Sequence, residues 1–229
     1  MKDISLIAFD ADDTLWECQT YFEAVESEYC EVLKSYASSD EISKALFAVE
    51  TANMPLWGYG SKAFLLSLLE NAIEISDGKL KAEEVKKIIA LGKELLQLPG
   101  KPMDGIEDTL KVLRDSGKYH LVVFTKGELL DQENKFSRSG LSPYFEDIIV
   151  VSDKTEKSYY QLCERFSINV DQLLMVGNSF RSDIEPVLKL GGWAAYIPFH
   201  TIWQHEVVEE YEHLHLVKLE FFTQLMHVL

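Results

Sequence analysis

The residues with the clearest chemical potential are Asp10-Ala11-Asp12-Asp13-Thr14, where three carboxylates fall within four positions. Carboxylates packed this closely repel one another, and the repulsion is costly unless a cation or a proton satisfies them. A carboxylate in such a setting can act as a nucleophile, shuttle a proton or ligate a hard cation. A solvated acidic turn is the plain alternative. Two features of placement weigh against it: the cluster ends the apolar run Ile4-Ser5-Leu6-Ile7-Ala8-Phe9, and a long helical stretch follows it.

An apolar run that stops abruptly at acids reads as a buried central strand with polar groups at its carboxyl edge. Four further runs of this character occur at 121–125, 148–151, 173–177 and 194–197. Helical patterns lie between them: Ile106, Leu110 and Leu113; 128–139, closing at Gly140; and 155–166. Ser182-x-x-Glu185 predicts a capping box opening a short helix that closes at Gly191-Gly192. Alternation of this kind implies an α/β, Rossmann-like parallel sheet covered on both faces. Residues 17–100 break the rhythm with four apolar stripes at helical spacing and no strand. They include Phe22, Val25, Tyr29 and Leu33 in the first stripe, and Phe64, Leu68 and Ala72 in the third. The expected organisation is therefore a core domain of residues 1–16 and 101–229 with an inserted helical-bundle domain, residues 17–100. An insertion after the first strand of a parallel sheet is expected at the carboxyl edge, where such sheets bind ligands. Residues 53–62, rich in Gly and aromatics and ending in Lys62, are expected to form a loop of the insert that contacts substrate or merely connects helices.

The chain of 229 residues has a formal charge of −16. Nucleic acid and anionic membrane are therefore poor expectations as partners, and an anionic substrate needs a local positive site. Three widely spaced cysteines, Cys18, Cys30 and Cys163, argue against a disulfide framework or a zinc knuckle and for a reducing compartment. Met1-Lys2-Asp3 opens no leader-like pattern, and no run is long enough to span a bilayer, so a cytoplasmic location is expected.

Four motifs in order resemble the haloacid dehalogenase (HAD) superfamily of hydrolases. They are Asp10-x-Asp12-x-Thr14 after the first strand; Thr125 ending Leu121-Val122-Val123-Phe124; Lys154 before a helix; and Gly177-Asn178-Ser179-x-x-x-Asp183 after another strand. The helical insert sits where that family's first type of cap sits. The resemblance implies Asp10 as nucleophile, Asp12 as general acid and base, and Thr125 with the following N–H groups at the phosphate; the side chain of Lys126, unusual at its position, is expected either to add positive charge near the phosphate or to point to water. It implies a lysine pairing with nucleophile and phosphate; Lys154 fits the spacing, and Lys157 competes for the role. It also implies Mg²⁺ held by Asp10, the Asp12 carbonyl, Asn178 and Asp183. Asn178 departs from the family's usual Asp, which bears on metal affinity.

The expected activity is Mg²⁺-dependent hydrolysis of a small phosphorylated metabolite, a phosphate monoester, through an aspartyl-phosphate. In the family's dehalogenases the position of Asp12 is not an acid, which favours phosphate over halide. Phosphomutase and dehalogenase chemistry, or a non-catalytic phospholigand-binding role, are the alternatives. The pattern sets no choice between monomer and dimer. His213 and His215 read as surface residues, and Trp203, His205 and Glu206 as residues packed on the core.

Overall fold

The computed structural model describes residues 3–229; Met1 and Lys2, used above in the reading of the N-terminus, lie outside the described residues. The chain divides into two compact units, Met1–Gln19 with Pro99–Leu229, and Thr20–Leu98.

The first unit is built on a six-stranded parallel sheet: β1 (Leu6–Phe9), β2 (His120–Lys126), β3 (Asp147–Val151), β4 (Leu173–Gly177), β5 (Trp193–Tyr196) and β6 (Leu216–Lys218). Its spatial order is β3-β2-β1-β4-β5-β6. β1 lies between β2 and β4, with Phe9 opposite Val123 and Val176. All four residues of β1 are fully buried because apolar layers cover both faces. One layer gathers Ile7, Phe9, Val123 and Val176 with Leu110, Leu113, Phe222 and Leu225. The other gathers Leu6, Ala8, Val122 and Phe124 with Tyr159, Leu162, Ile184 and Val187. Order 3-2-1-4-5 puts a change of winding direction at β1, and the loops there, after β1 and β4, carry the acidic motifs.

The sixth strand, β6, was not anticipated. It is three residues long and at the sheet edge, too short for an alternating pattern to register. The Ser182-x-x-Glu185 capping box also does not form. A π-type turn, Phe180–Ile184, begins earlier and runs into a short helix, Glu185–Lys189. Ser179 is its cap, accepting from the N–H of Ser182. The extra residue of a π-type turn shifts the start out of the four-residue spacing that a capping box assumes.

The second unit holds α2 (Ser39–Trp57), α3 (Ser61–Ile75) and α4 (Ala82–Leu95), preceded by α1 (Gln19–Leu33), whose first residue belongs to the other unit. The stripes read from the sequence form its core, with Tyr29, Leu33, Ile42, Leu46, Leu68, Ile88 and Leu95 at or near zero exposure. Ser38 and Glu41 make a reciprocal cap that starts α2. A Cβ at Gly92 would lie 2.7 Å from the Leu65 side chain, so the glycine on α4 leaves the room that Leu65 of α3 fills. The expected loop over 53–62 is mostly helix. α2 continues through Pro55 to Trp57, and only Gly58–Gly60 connects it to α3. Pro55 lies in the last turn, where its missing N–H breaks one hydrogen bond and the ladder still closes at Gly58 N–H to the Met54 carbonyl, 2.9 Å.

Candidate active site

The sheet delivers its polar residues to one edge. Asp10 follows β1 and its N–H donates to the Val176 carbonyl of β4, 2.9 Å, locking the strand end. Thr125 and Lys126 end β2, and Gly177 ends β4. Asp10 is 7% exposed, Asp183 1% and Lys154 4%, so the three meet out of water. Lys154 Nζ donates to Asp10 Oδ1 at 2.5 Å and to Asp183 Oδ1 at 2.6 Å. Lys157 is exposed in the first turn of α7 (Glu156–Arg165), so of the two competing lysines the fold brings Lys154 to Asp10. Burial pushes the Asp10 carboxyl up to about 7; the Lys154 ammonium draws it down, and Asp183 adds to the rise. Burial works against the Lys154 charge, but Asp10 and Asp183 outweigh it and hold the ammonium above its ordinary value. With burial holding Asp10 this close to its neutral form, a cation beside it would favour the ionised carboxylate.

Asp183 is held firmly. Its Oδ2 accepts from the Ser179 N–H at 3.0 Å while Oδ1 takes Lys154. A Cβ at Gly177 would lie 2.2 Å from that Oδ2, so only glycine at the end of β4 admits Asp183 here. Asn178 contributes its amide. The amide atom that faces inward lies 3.2 Å from Asp10 Oδ2, 3.2 Å from the Asp12 carbonyl oxygen and 3.0 Å from Thr14 Oγ1. With nitrogen inward the amide donates to all three. With oxygen inward it accepts from the Thr14 hydroxyl at 3.0 Å and lies against the Asp10 and Asp12 oxygens, a crowding that a cation would relieve. Separations of 3.2 Å are close to the roughly 3.0 Å between adjacent oxygens of an octahedron with ~2.1 Å bonds, the geometry of Mg²⁺. Asp10, the Asp12 carbonyl and Asn178 therefore fit a hard divalent cation. Asp183, with both oxygens engaged by Lys154 and a backbone N–H, stands behind them.

Asp12 lies in a different set of contacts. Lys135 Nζ donates to both of its oxygens at 2.7 Å, Gln132 Nε2 to Oδ2 at 2.8 Å and Trp16 Nε1 to Oδ1 at 2.8 Å. Burial would raise the Asp12 carboxyl, but the Lys135 ammonium and these hydrogen bonds outweigh it and hold it below its ordinary value. Asp13, the third acid, is structural. At φ 62° it turns its carboxylate onto the N–H groups of Cys18 (2.8 Å) and Gln19 (3.0 Å), capping the head of α1. The acidic cluster is thus a partitioned set, not a solvated turn.

Thr125 is buried, and its hydroxyl makes only a long 3.5 Å contact with the Lys126 carbonyl, so it is weakly engaged. The Lys126 side chain, expected near phosphate or in water, instead pairs with Glu206 and donates to Ser182 Oγ at 3.0 Å. Glu206 also accepts from Ser179 and from Ser182, the latter at 2.7 Å. Burial opposes its charge, but Lys126 outweighs this and holds the carboxyl below its ordinary value. Glu206 therefore joins the site edge and is not mere packing. Its one sequence signal is an isolated acid after an apolar run, which is too common to single out. Lys135 and Gln132, also missed, lie three residues apart on α6 (Leu129–Ser139) and so share a face, a pattern shared by many solvated helices. His215 stacks on Trp193, and no group of three or more His, Cys, Asp or Glu side chains suited to a metal ion occurs among the described residues. No helix among the described residues is long and apolar enough to cross a membrane.

A parallel sheet with an acid after its central strand and a lysine and acidic loop around it is the frame of the HAD hydrolases. The family model for haloacid dehalogenase-like hydrolases matches residues 4–191, and the chain belongs to this family. A haloacid dehalogenase-like family hydrolase from Xanthomonas campestris is 33% identical, with a TM-score of 0.86 over 95% of this chain and 87% of that one. YfnB of Bacillus subtilis (strain 168), named as a HAD-hydrolase, is 26% identical over 254 residues, spanning 100% of this chain and 97% of its own. A crystal structure of YfnB bound to magnesium superposes with a TM-score of 0.64 over 99% of each chain, at 16% structure-based identity. More distant solved structures include a HAD phosphatase from Thermococcus onnurineus (19% identity, TM-score 0.66, 98% and 97% covered) and a 2-haloacid dehalogenase from Pseudomonas syringae (17%, 0.65, 98% and 97%). At these identities the likeness shows the fold alone and does not choose between the two reactions.

Proposed function

We propose that the protein hydrolyses small phosphate monoesters in two steps on Asp10. The observation that carries this reading is Asp12, a second, partly buried carboxylate two residues past Asp10, gripped by Lys135, Gln132 and Trp16. A halide leaves without a proton, so a dehalogenase has no use for an acid there, whereas an ester oxygen needs one. In the first step an Asp10 carboxylate oxygen attacks phosphorus, the bond from phosphorus to the ester oxygen breaks, and that oxygen takes a proton through Asp12, which its ion pair with Lys135 keeps ionised until it receives that proton from the bound monoanionic ester. In the second, water attacks the same phosphorus, passes a proton to Asp12, and the bond to Asp10 breaks, releasing inorganic phosphate. Lys154, already on Asp10, offsets charge on nucleophile and phosphate together. The Thr125 hydroxyl serves the phosphate oxygens; of the N–H groups after it, that of Gly127 is taken by the Val151 carbonyl at 3.1 Å. Mg²⁺, for which Asp10, the Asp12 carbonyl and Asn178 form an oxygen-only set, would supply neutralising charge at the phosphate. Magnesium in the YfnB structure supports that choice of ion.

The test is release of p-nitrophenol from p-nitrophenyl phosphate with and without Mg²⁺, beside halide release from 2-haloacids. The expected result is Mg²⁺-dependent phosphatase turnover, lost in Asp10→Asn and reduced on the order of 10²–10⁴-fold in Asp12→Asn. Halide release without phosphatase turnover would overturn the reading.

A further inference from the structure

Lys135 is 2% exposed, and its charge is met by the Asp12 carboxylate in an ion pair at 2.7 Å, with Asp131 of the same helix adding to the attraction. Burying an ammonium costs several kcal/mol, of the order of what its ion pair returns, and an apolar residue of similar size would stabilise the fold at least as well. The pair is therefore poorly explained by stability alone. Its geometry is more informative. Lys135 bridges both Asp12 oxygens at 2.7 Å. Gln132, one turn earlier on α6, donates to Asp12 Oδ2 at 2.8 Å and to the Lys126 carbonyl at 3.1 Å, tying the helix to the end of β2. The Trp16 indole closes the other side at 2.8 Å. Donors from three residues on two segments leave the Asp12 carboxylate one pose. α6 itself is seated closely, since a Cβ at Gly100 would lie 2.7 Å from the Lys135 carbonyl oxygen.

We infer that Lys135 is a positioning residue for the reaction: with Gln132 it fixes the Asp12 carboxylate in the pose from which that group serves the leaving oxygen. The inference rests on the acid and base reading of Asp12 above. A proton-transfer group misplaced by about 1 Å can lose on the order of 10²-fold in rate. No hydrogen bond or ion pair joins Lys135 to Asp10 or Lys154; its other neighbours, Cys18 and Asp131, take no part in the proposed reaction, so its influence on the rate should pass through Asp12.

The experiment compares kcat/KM on p-nitrophenyl phosphate, whose leaving group needs little protonation, with kcat/KM on ethyl phosphate, whose leaving group needs it fully. This ratio reports transfer to Asp10 and is blind to the later hydrolysis. Wild type, Asp12→Asn, Lys135→Met, Lys135→Arg and the double variant Asp12→Asn/Lys135→Met are measured in the full chain, with circular dichroism confirming the fold. Lys135→Met leaves the partly buried Asp12 without its counter-charge and can fail to fold. The double variant removes both charges and keeps the test open. Lys135→Met is expected to lose at least about tenfold more on ethyl phosphate than on the aryl ester, the signature of Asp12→Asn. Lys135→Arg should recover most of the loss. The double variant should match Asp12→Asn within about twofold, because residues acting as a unit are not additive. Equal losses on both substrates, or a double variant that multiplies the two single losses, would overturn the inference. If Asp12→Asn itself treats the substrates alike, the acid and base reading falls and this inference with it. If Asp12→Asn discriminates and Lys135→Met does not, only the inference falls.

Discussion

Each charged residue at this sheet edge is committed to a partner. Lys154 serves Asp10 and Asp183, Lys135 serves Asp12, and Lys126 serves Glu206. The last pair has a measurable consequence. In Glu206→Gln a nearly buried ammonium loses its counter-charge, a change that costs about 3–5 kcal/mol for fully buried pairs and less here because Lys126 keeps some contact with water. Glu206→Gln should therefore lower Tm. Lys126, no longer neutralised, should attract phosphate more strongly, so KM for a phosphate monoester should fall. An unchanged Tm together with an unchanged KM would show that the pair does neither job. Asp10 and Asp12 were legible as an acidic cluster ending an apolar strand, whereas Lys154 and Asn178 stood out only through the resemblance to the HAD motifs. Lys135, Gln132 and Glu206 were not. Lys135 and Gln132 reach Asp12 from 123 and 120 residues away, and Glu206 reaches Lys126 from a short 3-10 turn 80 residues on, and no local spacing encodes that.

At the scale of elements, the apolar runs and helical stripes were readable because burial on two sheet faces and in a helical core imposes strong patterns. The features that escaped reading are set by local exceptions: the three-residue β6, the π-type turn after Ser179 and the proline inside α2. The turn after β4 is the most sensitive joint. Gly177→Ala would put a methyl group 2.2 Å from Asp183 Oδ2. Asp183 must then move, and Lys154 with it, so turnover should drop on the order of 10²-fold while circular dichroism stays native. Activity near wild type in Gly177→Ala would show that Asp183 placement is not critical. In the helical unit, burial, with Glu26 adding to it, pushes the Glu50 carboxyl on α2 up to about 7. Between its ordinary value near 4.5 and about 7 the folded state binds the proton more tightly than the unfolded state, so stability falls as pH rises through that window. Glu50→Gln should therefore raise Tm by a few degrees at pH 8 and change it little at pH 4.5, read by scanning calorimetry. The same rise at both pH values would remove titration as the cause.

For the whole molecule, a formal charge of −16 opposes the approach of an anionic substrate. Raising ionic strength from about 0.01 M to about 0.1 M shortens the screening length from about 30 Å to about 10 Å, so KM for a phosphate monoester should fall over this range at constant free Mg²⁺. A rise in KM would mean that local positive charge governs encounter. The central claim is that Asp10 becomes covalently phosphorylated. Its direct measurement is an acid quench during turnover of p-nitrophenyl phosphate, followed by borohydride reduction, which converts an aspartyl-phosphate to homoserine, and mass spectrometry of the peptide holding residues 3–16. The account predicts homoserine at residue 10, absent without substrate and absent in Asp10→Asn. Phosphatase turnover with no homoserine at residue 10, and persisting in folded Asp10→Asn, would contradict it.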